Sequence, residues 1–549
     1  MNWSLAFLAA GSVGLGATAG RRRLLLSQAK HRSLAGHSKW SRRVAGLIPA
    51  LDYDEATFFR CDGAPEDVVH KREQGFHRLA ALFAERFPKS RALTAETREG
   101  LSDLQFTGSY RVPFQFAKVV REQLGVGAFV ERSHGVTVTD LDGNDFYDLA
   151  GSYGVNLLGY DAYKAMIVEA VAQVGGLGPV LGAMHPVVAD NVARLRALTG
   201  LDEVSFHMSG TEAVMQAVRL ARYHTRRSRV VRFCGAYHGW WGDVQPGIGN
   251  PVSADRTFTL AEMSEKALRT LATRHDIACV LINPLQALHP NAAAPSDNTL
   301  VDGSRSAAFH RNGYVEWLAR LAEVCRERGI VLILDDVFTG FRIARGGAAE
   351  YFGIRPDMVT YGKTLGGGLP IGVLVGKAAL MKRFRADRPV DICFARGTFN
   401  AHPYVMATTN AFLRALDLPE TQALYDGLDE RWNGRAARMN ASLEAAGLPV
   451  RVANLSSIWT IIYTVPSRFN WMLQYYLREE GLLLSWVGTG RIIFSLNYSD
   501  ADFDAVVERF TRAAQRMAAN GWWWHPAGAT NKQVRRGILR ELIAKRLGW

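Results

Sequence analysis

Cysteine is scarce in this 549-residue chain. Its five residues, Cys61, Cys234, Cys279, Cys325 and Cys393, are odd in number, far apart and without a CxxC pair. That usage excludes a disulfide framework and a zinc site and points to a reducing compartment. Low-complexity tracts and internal repeats are absent too, and at 48% apolar residues the composition is that of an ordinary globular protein with room for two or three domains. Acidic residues are missing from residues 1–50, which hold eight Lys/Arg, and residues 531–549 set six Lys/Arg against Glu541 alone. These two ends carry the whole net charge of +13. Residues 51–530 are formally neutral, so the body is no nucleic-acid binder on charge grounds.

An uninterrupted apolar run of about twenty residues, the length a spanning helix needs, is also lacking. The nearest approach is Trp3 to Ala19, 17 uncharged residues interrupted by Gly11, Gly14 and Gly16 and followed by Arg21-Arg22-Arg23. A secretory signal would carry its positive charge before the apolar stretch, although Ala17-Thr18-Ala19 has the small residues of a cleavage site. The readings that stay open are a shallow anchor with the arginines on acidic headgroups, and a poorly ordered extension or a helix packed on its own protein. A cytoplasmic protein, with membrane contact through residues 1–45 as one alternative, is expected. At the other end, Ile538, Leu539, Leu542, Ile543 and Leu547 recur at helical spacing among Lys/Arg. This basic amphipathic helix is expected to pack on its own protein, with a bilayer surface as the alternative. Trp522-Trp523-Trp524 fits an interfacial belt or buried packing equally.

What the middle does contain is a regular alternation. The run from Val136 to Asp148, turning at Asp142-Gly143, predicts a hairpin. From about 155 to 400, β-rich runs (Ser228–Phe233, Ala278–Ile282, Ile330–Leu334, Met358–Thr360, Ile371–Val375) alternate with helical patterns, which predicts a mostly parallel sheet covered by helices. Short strands at Val450–Val452, Trp459–Tyr463 and Ile492–Leu496, then a helix from Ala501, predict a small α+β domain. The expected organisation is an extension over 1–50, an N-terminal segment with the hairpin over 51–154, a large α/β domain over 155–404, a small domain over 405–520 and a tail over 521–549.

The chemistry concentrates at two strand ends. Leu332-Ile-Leu-Asp335 is an apolar strand closing on a carboxylate, and 28 residues on, Lys363 stands in Tyr361-Gly-Lys-Thr-Leu-Gly-Gly-Gly-Leu-Pro370. Ligands of such sheets bind beyond the carboxyl ends of strands. A lysine amine able to form a Schiff base, with a carboxylate to keep a pyridine nitrogen protonated, is what pyridoxal phosphate (PLP) chemistry requires. Ser209-Gly210-Thr211-Glu212 precedes a helix, and hydroxyls with free N–H groups at a helix start make a phosphate site, though the same residues cap any helix. Gly235-Ala-Tyr237-His238-Gly239 offers a flat ring for stacking, and Gly397-Thr398 a further hydroxyl for an anion.

In this order, the segments closely resemble the class III aminotransferases among fold-type-I PLP enzymes, over roughly residues 125–515. The resemblance implies a large mostly parallel sheet domain with a small α+β domain, PLP as cofactor and a homodimer with shared sites. Residue by residue, it makes Lys363 the Schiff-base lysine and proton shuttle and Asp335 the partner of the pyridinium nitrogen. Val337 would pack beneath the ring and Tyr237, followed by His238, would stack above it. Ser209, Gly210 and Thr211 would hold the phosphate, and Thr398 would reach the phosphate of the neighbouring subunit. Asp140–Gly154, with Tyr153, resembles the strand pair that leads into the active-site mouth.

One departure bears on the substrate and two touch the cofactor. Glutamate-1-semialdehyde aminomutases of this family carry an Asn-Ser-Pro-Val-Arg run whose arginine holds a carboxylate. Aligning the prolines of Gly108-Ser-Tyr-Arg111-Val-Pro-Phe-Gln115-Phe puts Gln115 in the arginine's place, and Arg111 substitutes only if the backbone shifts. The usual Glu-Pro is Asn283-Pro284, and the usual Asp-Glu is Asp335-Asp336. Asn283-Pro-Leu-Gln286 and the stretches 397–403 and 490–500 resemble aminotransferase modules attached to polyketide and peptide synthases. The expected function is amino transfer, from an amino donor, to a hydrophobic or carrier-bound aldehyde or ketone. The alternatives are aminomutase-like intramolecular transfer and, from another class, a non-catalytic membrane-associated scaffold, which retention of both Lys363 and Asp335 disfavours.

Overall fold

A computed structural model of the protein describes residues 18–32, 34–110, 112–127, 129–252, 255–284, 311–485 and 491–548. The described chain divides into two compact units. One gathers residues 18–45, 174–284 and 311–410, and the other 46–173 and 411–548.

The first unit is built on seven strands, β1 (Glu203–His207), β2 (Arg229–Phe233), β3 (Thr257–Leu260), β4 (Ile277–Ile282), β5 (Val331–Asp335), β6 (Met358–Gly362) and β7 (Gly372–Gly376), in the order β1-β7-β6-β5-β4-β2-β3. All neighbouring pairs are parallel except those of β7, which runs antiparallel to β1 and β6. Every residue of β4, β5, β6 and β7 is buried, which explains their mostly apolar sequences: strands covered on both faces have no polar side to alternate. The helix Gly210–Thr225 turns Ala213, Val214, Ala217, Val218, Leu220 and Ala221 inward and shares a core with Cys279, Leu281, Ile333 and Leu374. Two strands of this sheet escape the sequence reading, β1 (Glu-Val-Ser-Phe-His) and β3 (Thr-Phe-Thr-Leu). Both are short and polar-interrupted, as suits the two edges of the sheet.

In the second unit the predicted hairpin forms from Thr137–Asp140 and Asp145–Asp148, turning through Gly143 at φ 84°. The Asp140 carboxylate accepts from the backbone N–H groups of Asp142 (3.0 Å) and Asn144 (2.8 Å), an Asx-type lock on the turn. A separate antiparallel sheet joins Val450–Leu455, Ile458–Tyr463 and Ile492–Ile493, and the helix Asp500–Ala519 starts in a Ser499/Asp502 capping box. The tryptophan run resolves in favour of packing. Trp522 is fully buried, 5.0 Å from Phe469 and within 6.5 Å of Phe58, Phe59 and Phe76, and its indole N–H donates to Tyr476 (2.7 Å). Trp523 is buried with its N–H on Asn470. Both rings thus satisfy their polar edge inside the core.

Candidate active site

Four strand ends of the first unit converge on one place. Asp335 closes β5, paired in register with Thr360 on β6, and Lys363 follows β6 by one residue. Across β7, Gly372 lies opposite Gly362 on one side and His207 on the other, so the ends of β1 and β6 stand level. Glycine is required at the crossing. A Cβ on Gly372 would stand 1.9 Å from the Ser209 carbonyl oxygen, and one on Gly210 would stand 2.6 Å from Val337 Cγ1. A Cβ on Gly362 would meet the same Val337 methyl at 3.2 Å. Val337 therefore sits against both Gly210 and Gly362, under the space between the helix start and the lysine.

The helix Gly210–Thr225 opens into that space. Ser209 caps it by accepting from Glu212 N (3.2 Å), and the Glu212 carboxylate reaches back to Met208 N (2.9 Å). This leaves the first-turn N–H groups of Gly210 and Thr211, with the macrodipole behind them, to an anion. Gly239, at φ 93°, backs directly onto Thr211, where a Cβ would lie 2.7 Å from the threonine hydroxyl. That contact fixes Tyr237-His238-Gly239 beside the helix start. Tyr237 is 58% exposed, an open ring face, whereas His238 beside it is buried.

His238 explains itself through Asp335. Its Nδ1 lies 2.7 Å from Asp335 Oδ2, both groups buried, and Thr360 Oγ1 (3.2 Å) and Val337 N (3.3 Å) donate to Oδ1. Burial holds the imidazole below its usual range against the pull of the Asp335 charge. The ring is therefore neutral, with its hydrogen on Nδ1 because a carboxylate only accepts. Its Nε2 is buried without a hydrogen-bond partner. The neighbouring Asp336 is pushed up to about 7 by burial, and holds Thr339 Oγ1 and Ala348 N (2.7 Å). Asp336 thus belongs to the loop below the sheet, and Asp335 alone faces the site chemistry.

Lys363 sits at φ 46°, one of few non-glycine residues in the left-handed region, with Nζ 5.4 Å from the Phe338 ring centroid. A lysine held in a strained conformation at a strand end is a mark of functional use. Thr398 is exposed in the same unit. The other expected site residues belong to the second unit. Gln115 is buried, its carbonyl accepting from Tyr53 N (2.9 Å), and Tyr153 is half exposed at φ 57°. Arg111 lies outside the described residues. The brace of His238 and Thr360 on Asp335 was not legible beforehand. Only the β5–β6 register brings Thr360 to the carboxylate.

These groups fit PLP: an anion seat at a helix start, an open aromatic face, a buried and braced carboxylate, and a primary amine on one strand end. Fold and site together define a PLP-dependent transferase. The comparisons specify it further. The class-III aminotransferase family model matches residues 119–514. A glutamate-1-semialdehyde 2,1-aminomutase of Nitratidesulfovibrio vulgaris is 32% identical over 71% of this chain and 92% of its own. A solved transaminase with PLP bound superposes with TM-score 0.63 at 26% identity, over 79% of this chain and 99% of that one. A glutamate-1-semialdehyde aminomutase from Pseudomonas aeruginosa PAO1 shares the fold at TM-score 0.65 and 20% identity, over 82% and 99%. The chain belongs to the class III aminotransferases, enzymes that use PLP.

Proposed function

We propose that this enzyme transfers an amino group to a hydrophobic or carrier-bound aldehyde or ketone, working as a homodimer. Gln115 carries the substrate reading. On the proline alignment Gln115 stands where the aminomutase pattern has arginine, and an amide is a poor partner for a free carboxylate.

In this reading Lys363 is the covalent attachment point and, once released, the base that moves a proton at the substrate carbon. Asp335 holds the proton on the pyridine nitrogen, kept in place by His238 Nδ1–H and Thr360 Oγ1. Gly210 and Thr211 N–H groups and the Ser209 and Thr211 side chains anchor the phosphate, Val337 and Tyr237 enclose the ring, and Thr398 serves the partner subunit's phosphate. PLP itself supplies the electron sink.

The relatives named as aminomutases favour a second reading, intramolecular amino transfer on glutamate 1-semialdehyde. Single-turnover spectra separate the two. Amine-loaded enzyme should return to the aldehyde form with a long-chain aldehyde and not with glutamate 1-semialdehyde; the reverse pattern refutes the proposal. Lys363→Ala should lose the characteristic absorbance, and an unchanged spectrum would count against any PLP enzymology. Membrane contact through residues 1–45 remains part of the proposal, although residues 1–17 lie outside the described ones. Among the described residues no helix is long and apolar enough to cross a membrane. Deleting residues 1–45 should shift the protein from membrane to soluble fractions, and an unaltered distribution rules that contact out.

A further inference from the structure

The C-terminal helix Asn531–Leu547 is turned inside out for a helix that only packs on its own protein. Its single acid points inward. Glu541 accepts from Arg468 Nη2 (2.7 Å), from Arg468 Nη1 (3.0 Å) and from the Tyr53 hydroxyl, and Arg468 is buried. At the far end Arg546 Nη1 donates to the Leu47 carbonyl (2.8 Å). The half-buried side is Val534, Gly537, Ile538, Glu541 and Leu542, and no residue of the helix is fully buried.

The outward side holds three aliphatics as large as those on the half-buried side. Leu539 (56% exposed), Ile543 (47%) and Leu547 (55%) stand at successive i, i+4 positions and form one stripe. At 100° per residue, Lys532, Arg536 and Arg540 fall within or along one edge of that stripe, and Arg535 and Arg546 along the other. All five are exposed, and no acid shares the face. A helix stabilised by its own core does the opposite, burying its leucines and wetting its charges. Two further exposed aliphatics, Leu47 and Ile48, adjoin the helix end through the Arg546–Leu47 bond.

We infer that this face docks the enzyme on an acidic lipid bilayer, lying in the plane of the headgroups. Lys532, Arg536 and Arg540, with no acid of the helix on their face, match the negative surface potential, and each adds to attraction within a Debye length. Three aliphatics reach the acyl boundary while arginine stems run beside them with their guanidinium groups at the phosphates. A nucleic acid would satisfy the cations and leave the stripe in water. The Glu541–Arg468–Tyr53 cluster sets the rotation of the helix, so that the membrane-facing side is fixed before any bilayer is met. This inference is independent of the substrate reading.

Co-sedimentation of the full-length holoenzyme with vesicles tests it. Vesicles of phosphatidylcholine with about 30 mol% phosphatidylglycerol should bind the protein at about 0.1 M salt and release it at about 0.5 M, and phosphatidylcholine alone should not bind. Arg536→Gln/Arg540→Gln should weaken partitioning about 30-fold, and Leu539→Ser/Ile543→Ser/Leu547→Ser at least about tenfold, both with unchanged PLP absorbance. Sedimentation of either variant equal to the native chain overturns the inference, because another surface then binds. No binding to acidic vesicles also overturns it. So does a changed oligomeric state of the aliphatic variant without vesicles, which would make the face a contact between copies of this chain.

Discussion

Replacing Gly372 by alanine probes sheet and site with a single methyl group. The new Cβ would lie 1.9 Å from the Ser209 oxygen, 2.3 Å from its carbonyl carbon and 3.0 Å from Gly210 N. A tolerable carbon–oxygen contact is about 3.3 Å, so the Ser209 peptide must retreat by roughly 1.4 Å. No flexible side chain can absorb this, because all three atoms are backbone and β7 is held in ladders on both sides. Overpacking of this kind costs about 3 kcal/mol. The same movement lifts Gly210 N–H away from the anion seat, and a 1 Å misplacement at a site costs about 100-fold in rate. Urea unfolding, PLP titration of the apoprotein and kcat/KM should therefore all worsen together. Gly434→Ala is the control. It lies inside the helix Leu428–Ala445 with nothing within 4 Å of a Cβ, and should gain about 0.5–1 kcal/mol. A Gly372→Ala protein with native midpoint and native PLP affinity would refute the placement of Ser209 against β7, and with it the geometry of the phosphate seat.

Asp335→Asn keeps the size and an acceptor for His238 but removes the charge, and turnover should fall at least about 100-fold while PLP still binds; a loss of only about threefold would deny Asp335 its electrostatic role. Glu262 is buried, bonded by the Tyr314 hydroxyl (2.6 Å), and pushed up to about 8 by burial. Its folded value lies above the unfolded one, so its contribution is intact below about pH 4.5 and is lost as pH climbs towards 8, at up to about 1.4 kcal/mol per pH unit. Glu262→Gln should flatten that decline and raise the melting temperature at pH 8; a parallel pH profile for both proteins contradicts the assignment. Glu541→Ala strips Arg468 and Tyr53 of their partner at a cost of roughly 2 kcal/mol, discounted for the partial exposure of the glutamate. Hydrogen exchange over residues 531–547 should accelerate, and unchanged protection would mean that the helix is held by something else.

What the sequence made legible follows a physical division. β4 to β7 announce themselves because burial on both faces forces apolar runs. Lys363 and Asp335 are legible because they end two of those runs, and the Ser209–Thr211 seat because a helix start has few solutions. Strand order, by contrast, is a property of distant pairs. Nothing local in Gly372–Gly376 says that it runs antiparallel between β1 and β6, yet that insertion sets His207, two residues before Ser209, level with Gly362. His238 shows the same limit: beside Tyr237 it reads as a cofactor contact, and only the fold places its Nδ1 on Asp335, 97 positions away.

The C-terminal helix marks the limit from the other side. Its spacing gave the helix correctly and even its amphipathic character, since Ile538 and Leu542 do lie on the half-buried side. The five aliphatics, however, span more than one face, and periodicity cannot say which part turns inward. The choice is made by one ion cluster. Arg468 is buried in the second unit and needs a carboxylate, and Glu541 is the helix's only one. Satisfying that buried guanidinium turns the helix through about half a circle from the orientation that would bury Leu539, Ile543 and Leu547. Those three side chains, ringed by arginines, are left facing outward by the same contact that holds the helix in place.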